Sequence, residues 1–339
     1  MSILVKVKKN SKEAENEESN PSLLAILNRL QGLKGRNYID LNDYTGERIF
    51  DLIMLAKILK EKLYKKEVYQ PLKQKVLGMI FEKHSTRTRV SFEVGMLQLG
   101  GNSLFLSKND LQIGRGEPFK DTARVLSSYL DAIMIRTDSQ EKLNEMAKYA
   151  TIPIINGLSD LCHPTQALAD YLTLYELKGE VQGLKIAYVG DGNNVLNSLL
   201  VMGAKLGTNI NIATPVGFEP QKEIVDYARE EAKKSGAKIE LMSDPKEAVE
   251  GADAIYTDVW ISMGQEEEKE LRMAQFQGYQ VNDQLMKLAS KDAVFMHCLP
   301  AHRGEEVTEE VIEGKQSVVF QEAENRLHAH KAILLALLR

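Results

Sequence analysis

Cysteine is nearly absent: Cys162 and Cys298 are the only two in 339 residues. That is too few for a disulfide framework, and neither stands in a paired metal or redox spacing. The default for such a chain is a reducing, cytoplasmic compartment. Also missing is any apolar run of membrane-spanning length. Met1 to Val7 is too short for the apolar core of a secretory signal, and Glu13, Glu15, Glu17 and Glu18 oppose a mitochondrial transit segment, which is poor in acids. Nor is there an excess of basic charge. Lys and Arg number 43 against 48 Asp and Glu, a formal charge of −5, which argues against a general nucleic-acid binder. Any basic residues that serve an anionic ligand must therefore be local.

What the chain does have is length and apolar content. At 339 residues it exceeds what one core usually organises, and 43% hydrophobic residues suffice for burial. Short apolar runs alternate with helical periodicities, which predicts an α/β protein of two doubly wound parallel-sheet domains. Residues 1–32 read as a variable N-terminal tail with one short helix; Lys6 to Asn20 carry too little apolar surface to order themselves. Residues 33–165 read as the first domain and 182–320 as the second. A final helix, expected from about Ala323 to Leu338, ends in Ile333, Leu334, Leu335, Leu337 and Leu338. It has to be buried, and is expected to return to the first domain, so 323–339 belongs there.

One stretch organises the rest. Val76 to Phe81 is an apolar strand, Glu82 to Ser85 a polar turn, and Thr86-Arg87-Thr88-Arg89 opens a helix whose Phe92 and Met96 read as buried. The first helical turn leaves backbone N–H groups unpaired and carries partial positive charge, which suits a phosphate. Three hydroxyls and two arginines beside it exceed what a helix cap needs, and guanidinium groups hold oxyanions with fixed geometry.

Further polar groups fall at strand ends, where open parallel sheets bind ligands. Arg136 closes the strand Ala132 to Ile135. His163 and Gln166 lie three residues apart on a first helical turn, so both can face one carbonyl or amide. Gly190-Asp191-Gly192-Asn193-Asn194 follows a strand, yet Val195 replaces the third glycine of a dinucleotide fingerprint, and the next strand ends in Thr214-Pro215 without the ribose-binding acid. No nicotinamide cofactor is expected; the asparagines instead offer an amino-acid carboxylate their amides. Asp258 ends another strand. The segment Ser262 to Gly278, with Lys269 and Arg272, carries no evident buried stripe and reads as a mobile loop. His297, Cys298 and His163 could be taken for a zinc set, but no ligand spacing supports it, so no metal is expected.

Taken together, Ser85-Thr86-Arg87-Thr88-Arg89, His163-Pro164-Thr165-Gln166, Asp258-Val259-Trp260-Ile261-Ser262-Met263-Gly264 and His297-Cys298-Leu299-Pro300 resemble, in order, the four signatures of the aspartate/ornithine carbamoyltransferase family, in its ornithine-specific branch. The resemblance runs from about Leu33 to the C-terminus. It implies transfer of the carbamoyl group of carbamoyl phosphate to the δ-amine of L-ornithine, giving L-citrulline and phosphate, without cofactor, as in arginine biosynthesis. By the same resemblance Ser85, Thr86, Arg87, Thr88, Gln112, Arg136, His163, Gln166 and Arg326 bind carbamoyl phosphate. Asn194, Asp258, Ser262, Met263, Cys298 and Leu299 bind ornithine, and Arg136, His163 and Cys298 take part in catalysis. Cys298 would orient or deprotonate the amine. The resemblance also implies a homotrimer with sites shared through the Gln112 loop. Alternatives are another acceptor (aspartate, putrescine or acetylornithine) and a binding protein without catalysis; an acid for an α-ammonium is useless to putrescine, which has none.

Overall fold

The computed structural model describes residues 21–261 and 266–339. The expected tail to Asn20, and Ser262 and Met263, lie outside the described residues. Ser22 caps α1 (Leu23–Arg29), and Thr45 caps α2 (Gly46–Tyr64) by accepting from the Arg48 amide. The first sheet follows: β1 (Val76–Phe81), α3 (Thr86–Gln98), β2 (Asn102–Ser107), α4 (Phe119–Ser127), β3 (Ala132–Arg136), α5 (Gln140–Tyr149) and β4 (Ile154–Leu158). Its strands are parallel in the order β2-β1-β3-β4.

Helix α6 (Pro164–Lys178) leads to the second sheet. This comprises β5 (Lys185–Val189), α7 (Asn194–Leu206), β6 (Asn209–Ala213), α8 (Lys222–Ser235), β7 (Ile239–Met242), α9 (Pro245–Val249) and β8 (Ala254–Thr257). It continues with α10 (Lys269–Gln275), α11 (Asp283–Met286), β9 (Val294–His297) and α12 (Glu309–Ile312), and the chain ends in α13 (Val319–Leu338). These five strands are also parallel, ordered β7-β6-β5-β8-β9. The fold is thus the expected pair of doubly wound parallel sheets. Parallel strands covered on both faces read as continuous apolar runs, which is why β3 and β5 stood out in the sequence.

In each sheet the strand order reverses beside the first strand, between β1 and β3 and between β5 and β8. A crevice opens at the carboxyl ends of the strands at such a point. Helix α13 follows the second sheet in the chain and packs on α2, α3 and α6. Its five terminal aliphatic side chains are all buried, each contributing roughly 1.5–3 kcal/mol over exposure, so the helix does return to the first domain. It begins at Val319, ahead of the expected Ala323, because Val318 and Val319 carry no side-chain cap that the sequence could announce. Glu322 therefore lies within its first turn.

The segment expected to lack packing has an anchor. Arg272 is buried, donating to the Trp260 carbonyl at 3.0 Å and to Glu268 at 2.8 Å, and pairing with Asp191 at 3.1 Å. Phe276 is fully buried beside it. Single anchors four residues apart leave no stripe for periodicity to detect.

Candidate active site

Between the two sheets lies a cavity of about 1020 Å³, lined by the loops that follow β1, β3, β4, β5, β8 and β9. Its first-domain wall is cationic. Ser85 caps α3, accepting from the Thr88 amide at 3.3 Å, and so leads the chain into the helix at the mouth of β1. Arg87 leaves from the first turn, Arg136 from the end of β3, and Arg326 enters from α13. Arg326 Nη2 donates to the buried Thr88 Oγ1 at 2.5 Å. Each of the three guanidiniums keeps a buried Nε–H without a partner among the described residues. Burial, with Arg326 and Arg87 close by, pushes the Arg136 pKa down to about 10; burial and Arg87 do the same to Arg326. Like charges so placed create a strong demand for an anion.

His163 caps α6, with Pro164 in the first helical position, where its missing N–H costs nothing. Its backbone N–H donates to Ser198 Oγ of α7 at 2.8 Å, tying the start of α6 to the second domain. Burial, then the charges of Arg326 and Arg136, hold its pKa well below the usual histidine range, so the imidazole is neutral. Nδ1 lies 3.3 Å from the Thr165 hydroxyl; a hydroxyl donating there leaves Nε2 to carry the ring proton. Gln166, fully buried, turns its NH₂ towards Asp170 at 2.8 Å and keeps a buried Oε1 without a partner among the described residues.

The second-domain wall is acidic and amidic. Asn193 caps α7 through Oδ1, while its Nδ2 donates to Asp258 Oδ2 at 2.7 Å. The Cys298 thiol donates to Asp258 Oδ1 at 3.1 Å. Burial and Asp258 raise the Cys298 pKa well above the free-thiol value, so sulfur stays protonated at neutral pH. Leu299 adopts φ +57°, a conformation unusual for a branched residue, and its N–H donates to His297 Nδ1 at 2.9 Å. His297 Nε2 faces buried Glu306 at 3.1 Å. Asp258, His297 and Cys298 have ligand atoms within 4.8 Å of one another, yet both His297 ring nitrogens are engaged within the protein. Asn194 Nδ2 donates to the Ser159 carbonyl of the first domain at 2.6 Å.

The cavity brings together Ser85, Thr86, Arg87, Arg136, His163, Gln166, Asn194, Asp258, Cys298, Leu299 and Arg326. Thr88 stands behind Arg326. Gln112 does not join them; it is exposed on a short 3₁₀ turn beyond β2. The wall also holds Asn193, expected with Asn194 to offer its amide to a carboxylate and here donating to Asp258, and Asp191, Arg272 and His302, to which the motifs assigned no role. Asp191 could have been found in the glycine-bearing turn after β5. Gly192 in that turn is explained by packing: a Cβ there would lie 2.3 Å from the Pro220 nitrogen.

Fold and crevice define a two-domain α/β protein with a cationic wall facing an acidic and amidic one. The family model described as aspartate/ornithine carbamoyltransferase, carbamoyl-P binding domain, matches residues 36–176, and the Asp/Orn binding domain matches 182–337. The chain belongs to the aspartate/ornithine carbamoyltransferase family. An ornithine carbamoyltransferase of Caldicellulosiruptor saccharolyticus is 59% identical over 300 residues, covering 88% of this chain and 97% of that one. The solved ornithine carbamoyltransferase of Pyrococcus furiosus superposes with a TM-score of 0.88 at 53% identity, covering 90% and 98%. An anabolic ornithine carbamoyltransferase from Campylobacter jejuni gives 0.83 at 46%, covering 88% and 97%.

Proposed function

We propose that the protein transfers the carbamoyl group of carbamoyl phosphate to the δ-amine of L-ornithine, releasing L-citrulline and phosphate, in the biosynthetic direction that the C. jejuni relative's description names. The observation that carries this reading is the opposition of a three-guanidinium cradle and a neutral histidine on one wall to Asp258 on the other. The phosphate sits on the first turn of α3, on Arg87, Arg136 and Arg326. Nε2–H of His163 donates to the carbamoyl oxygen as negative charge gathers on it, and Gln166 Oε1 accepts from the carbamoyl NH₂. Asp258 receives the α-ammonium: its other bonds come from the Cys298 thiol, the Asn193 amide and the Val259 backbone N–H, which still leave a carboxylate lone pair for an ammonium.

The unprotonated δ-amine attacks the carbamoyl carbon, the bond from that carbon to the bridging phosphate oxygen breaks, and the departing phosphate takes the amine's proton. Positioning and charge stabilisation suffice for such an activated donor. Cys298 orients the amine and Asp258 as a thiol; its raised pKa removes it as the base. Asn194 exchanges the Ser159 carbonyl for the α-carboxylate as the halves converge. Residues 33–165 with 323–339 hold the first substrate, residues 182–320 the second.

We further propose a homotrimer in which Gln112 completes a neighbour's phosphate site. Supporting it are Gln112's distance from its own cavity and the exposed Val90, Leu104 and Phe105 on the same edge. A second cavity of about 780 Å³ there includes Ser85 and Thr86 in its lining. Citrulline formation with a panel of amines tests the reaction; no citrulline from ornithine would overturn it. Mixing inactive Arg87→Ala with inactive Gln112→Ala subunits tests sharing: hybrid trimers regain activity, and verified hybrids that regain none refute it.

A further inference from the structure

Behind Gln166 lies a group of buried polar side chains to which the reaction gives no direct part. Asp170 of α6 and Glu322 of α13 are each fully buried. Gln166 Nε2 donates to Asp170 Oδ1 at 2.8 Å and to Glu322 Oε1 at 3.3 Å. The Tyr256 hydroxyl of β8 lies 3.2 Å from Asp170 Oδ2 and 3.3 Å from Glu322 Oε1. Glu322 Oε2 accepts from the His297 backbone N–H at 3.0 Å, one residue before Cys298. The group therefore touches both substrate walls without lining the cavity.

We propose that Asp170 and Glu322 are a positioning pair that fixes the Gln166 amide with its oxygen towards the cavity, and so makes the site select a ligand bearing an NH₂ beside its acyl phosphate. A primary amide can be turned over, exchanging an acceptor for a donor at the same place. Two carboxyl groups sharing one proton leave an excess of acceptors, and the Gln166 NH₂ is the group placed to satisfy them. Burial raises both carboxyl pKa values, Asp170 to about 7, which suits one shared proton. Besides each other, the charged or titratable groups that bear on the pair are Tyr256 of β8, Arg326 of α13 and Cys298 after β9. With NH₂ held inward, Oε1 is the only Gln166 atom left for a ligand, and it is a buried acceptor without a partner among the described residues. A carbamoyl NH₂ satisfies it; an acetyl methyl cannot.

The inference rests on reading the cavity as a carbamoyl-phosphate site, so wild-type citrulline formation is measured first; its absence sinks that reading rather than this one. Asp170→Leu then removes the principal acceptor and frees the amide to turn. Expected is a loss of about tenfold in the preference for carbamoyl phosphate over acetyl phosphate, one hydrogen bond's worth, with inorganic phosphate affinity within about twofold of wild type. Glu322→Gln, which preserves a protonated carboxyl's shape and donor, retains more of the preference than Asp170→Leu. A folded Asp170→Leu with unchanged preference overturns the proposal, as does equal weakening of all three anions. Neutron diffraction from perdeuterated wild-type crystals decides the matter even if the variant does not fold. Gln166 deuterons directed at Asp170 and Glu322 are expected, and deuterons on the cavity side overturn it.

Discussion

Arg326 Nη2 donates to Thr88 Oγ1 at 2.5 Å across 238 residues of sequence, so the last helix of the chain completes a cradle that the first strand opens. The contact orients a guanidinium already held among like charges, so under the proposed function carbamoyl-phosphate binding should depend on the docking of α13. Replacing Arg326 by Ala is expected to weaken carbamoyl phosphate by roughly 10²-fold, as loss of a buried charged partner does. Arg326→Lys should recover only part of this, because a point charge cannot hold Thr88 and an oxyanion with one planar fork. Calorimetric titration of both variants checks it; full recovery by lysine would mean that charge alone matters.

His163 is held neutral, with Nδ1 beside the Thr165 hydroxyl, so under the proposed reaction it should donate to an oxygen that gains charge in the transition state. His163→Ala is expected to lower kcat by roughly 10²–10³-fold, with a smaller change in KM for carbamoyl phosphate. Steady-state kinetics separate the two, and a raised KM at normal kcat would assign the ring to ground-state binding.

Asp258 should read the α-ammonium, which makes L-ornithine the preferred acceptor and putrescine a poor one. Truncation to Ala is expected to cut kcat/KM for ornithine by roughly 10²-fold while leaving the slow putrescine reaction much less affected. Comparable wild-type turnover of the two amines would remove the assignment.

Limited proteolysis probes the segment after Trp260. Lys269 has an exposed side chain and, among the described residues, a 3.8 Å ion pair with Glu305, whereas Arg272 is buried against Asp191 and Trp260. Trypsin is expected to cut the free enzyme after Lys269 and to spare Arg272, and ornithine or norvaline added with carbamoyl phosphate should slow the first cut. Arg272→Met, which breaks the pair with Asp191, should speed cleavage at Lys269. No change in that variant would show that the anchor does not restrain the segment.

Acid should destabilise the protein through its buried histidines. Burial, then Lys331 and Lys60, lower the His328 pKa to about 3, and neither ring nitrogen has a partner among the described residues. Below about pH 6.5 the unfolded chain takes up a proton that the native His328 does not, so stability falls with pH by about 1.4 kcal/mol per unit for this group. His163 and His330 are lowered as well and act with the same sign. Asp170 and Glu322, raised in the fold, act oppositely as pH rises through their titration. The difference between wild type and His328→Leu cancels these others. The variant should be at least as stable at pH 7 and lose less between pH 6.5 and 5, by on the order of 2 kcal/mol; parallel denaturation curves would refute this.

Sequence alone determined the architecture, because parallel strands buried on both faces must be written as short apolar runs, and helices between them as periodic ones. It also determined the strand, turn and helix start that bring hydroxyls and Arg87 to the cavity, since these are contiguous from Val76 to Arg89 and a local motif needs no knowledge of the fold. Tertiary structure decided what depends on distant residues meeting. Asp170 in Ala-Leu-Ala-Asp-Tyr-Leu reads as one polar residue in an apolar helix, and Glu322 as an acid before a helix; only the approach of α6 to α13 makes them a pair. Arg272 looked solvated because its partners, Asp191 and the Trp260 carbonyl, come from elsewhere in the second domain. Whether Cys298 is base or thiol was likewise not in the sequence. Its protonation depends on burial and on Asp258, forty residues away in the chain and 3.1 Å away in space.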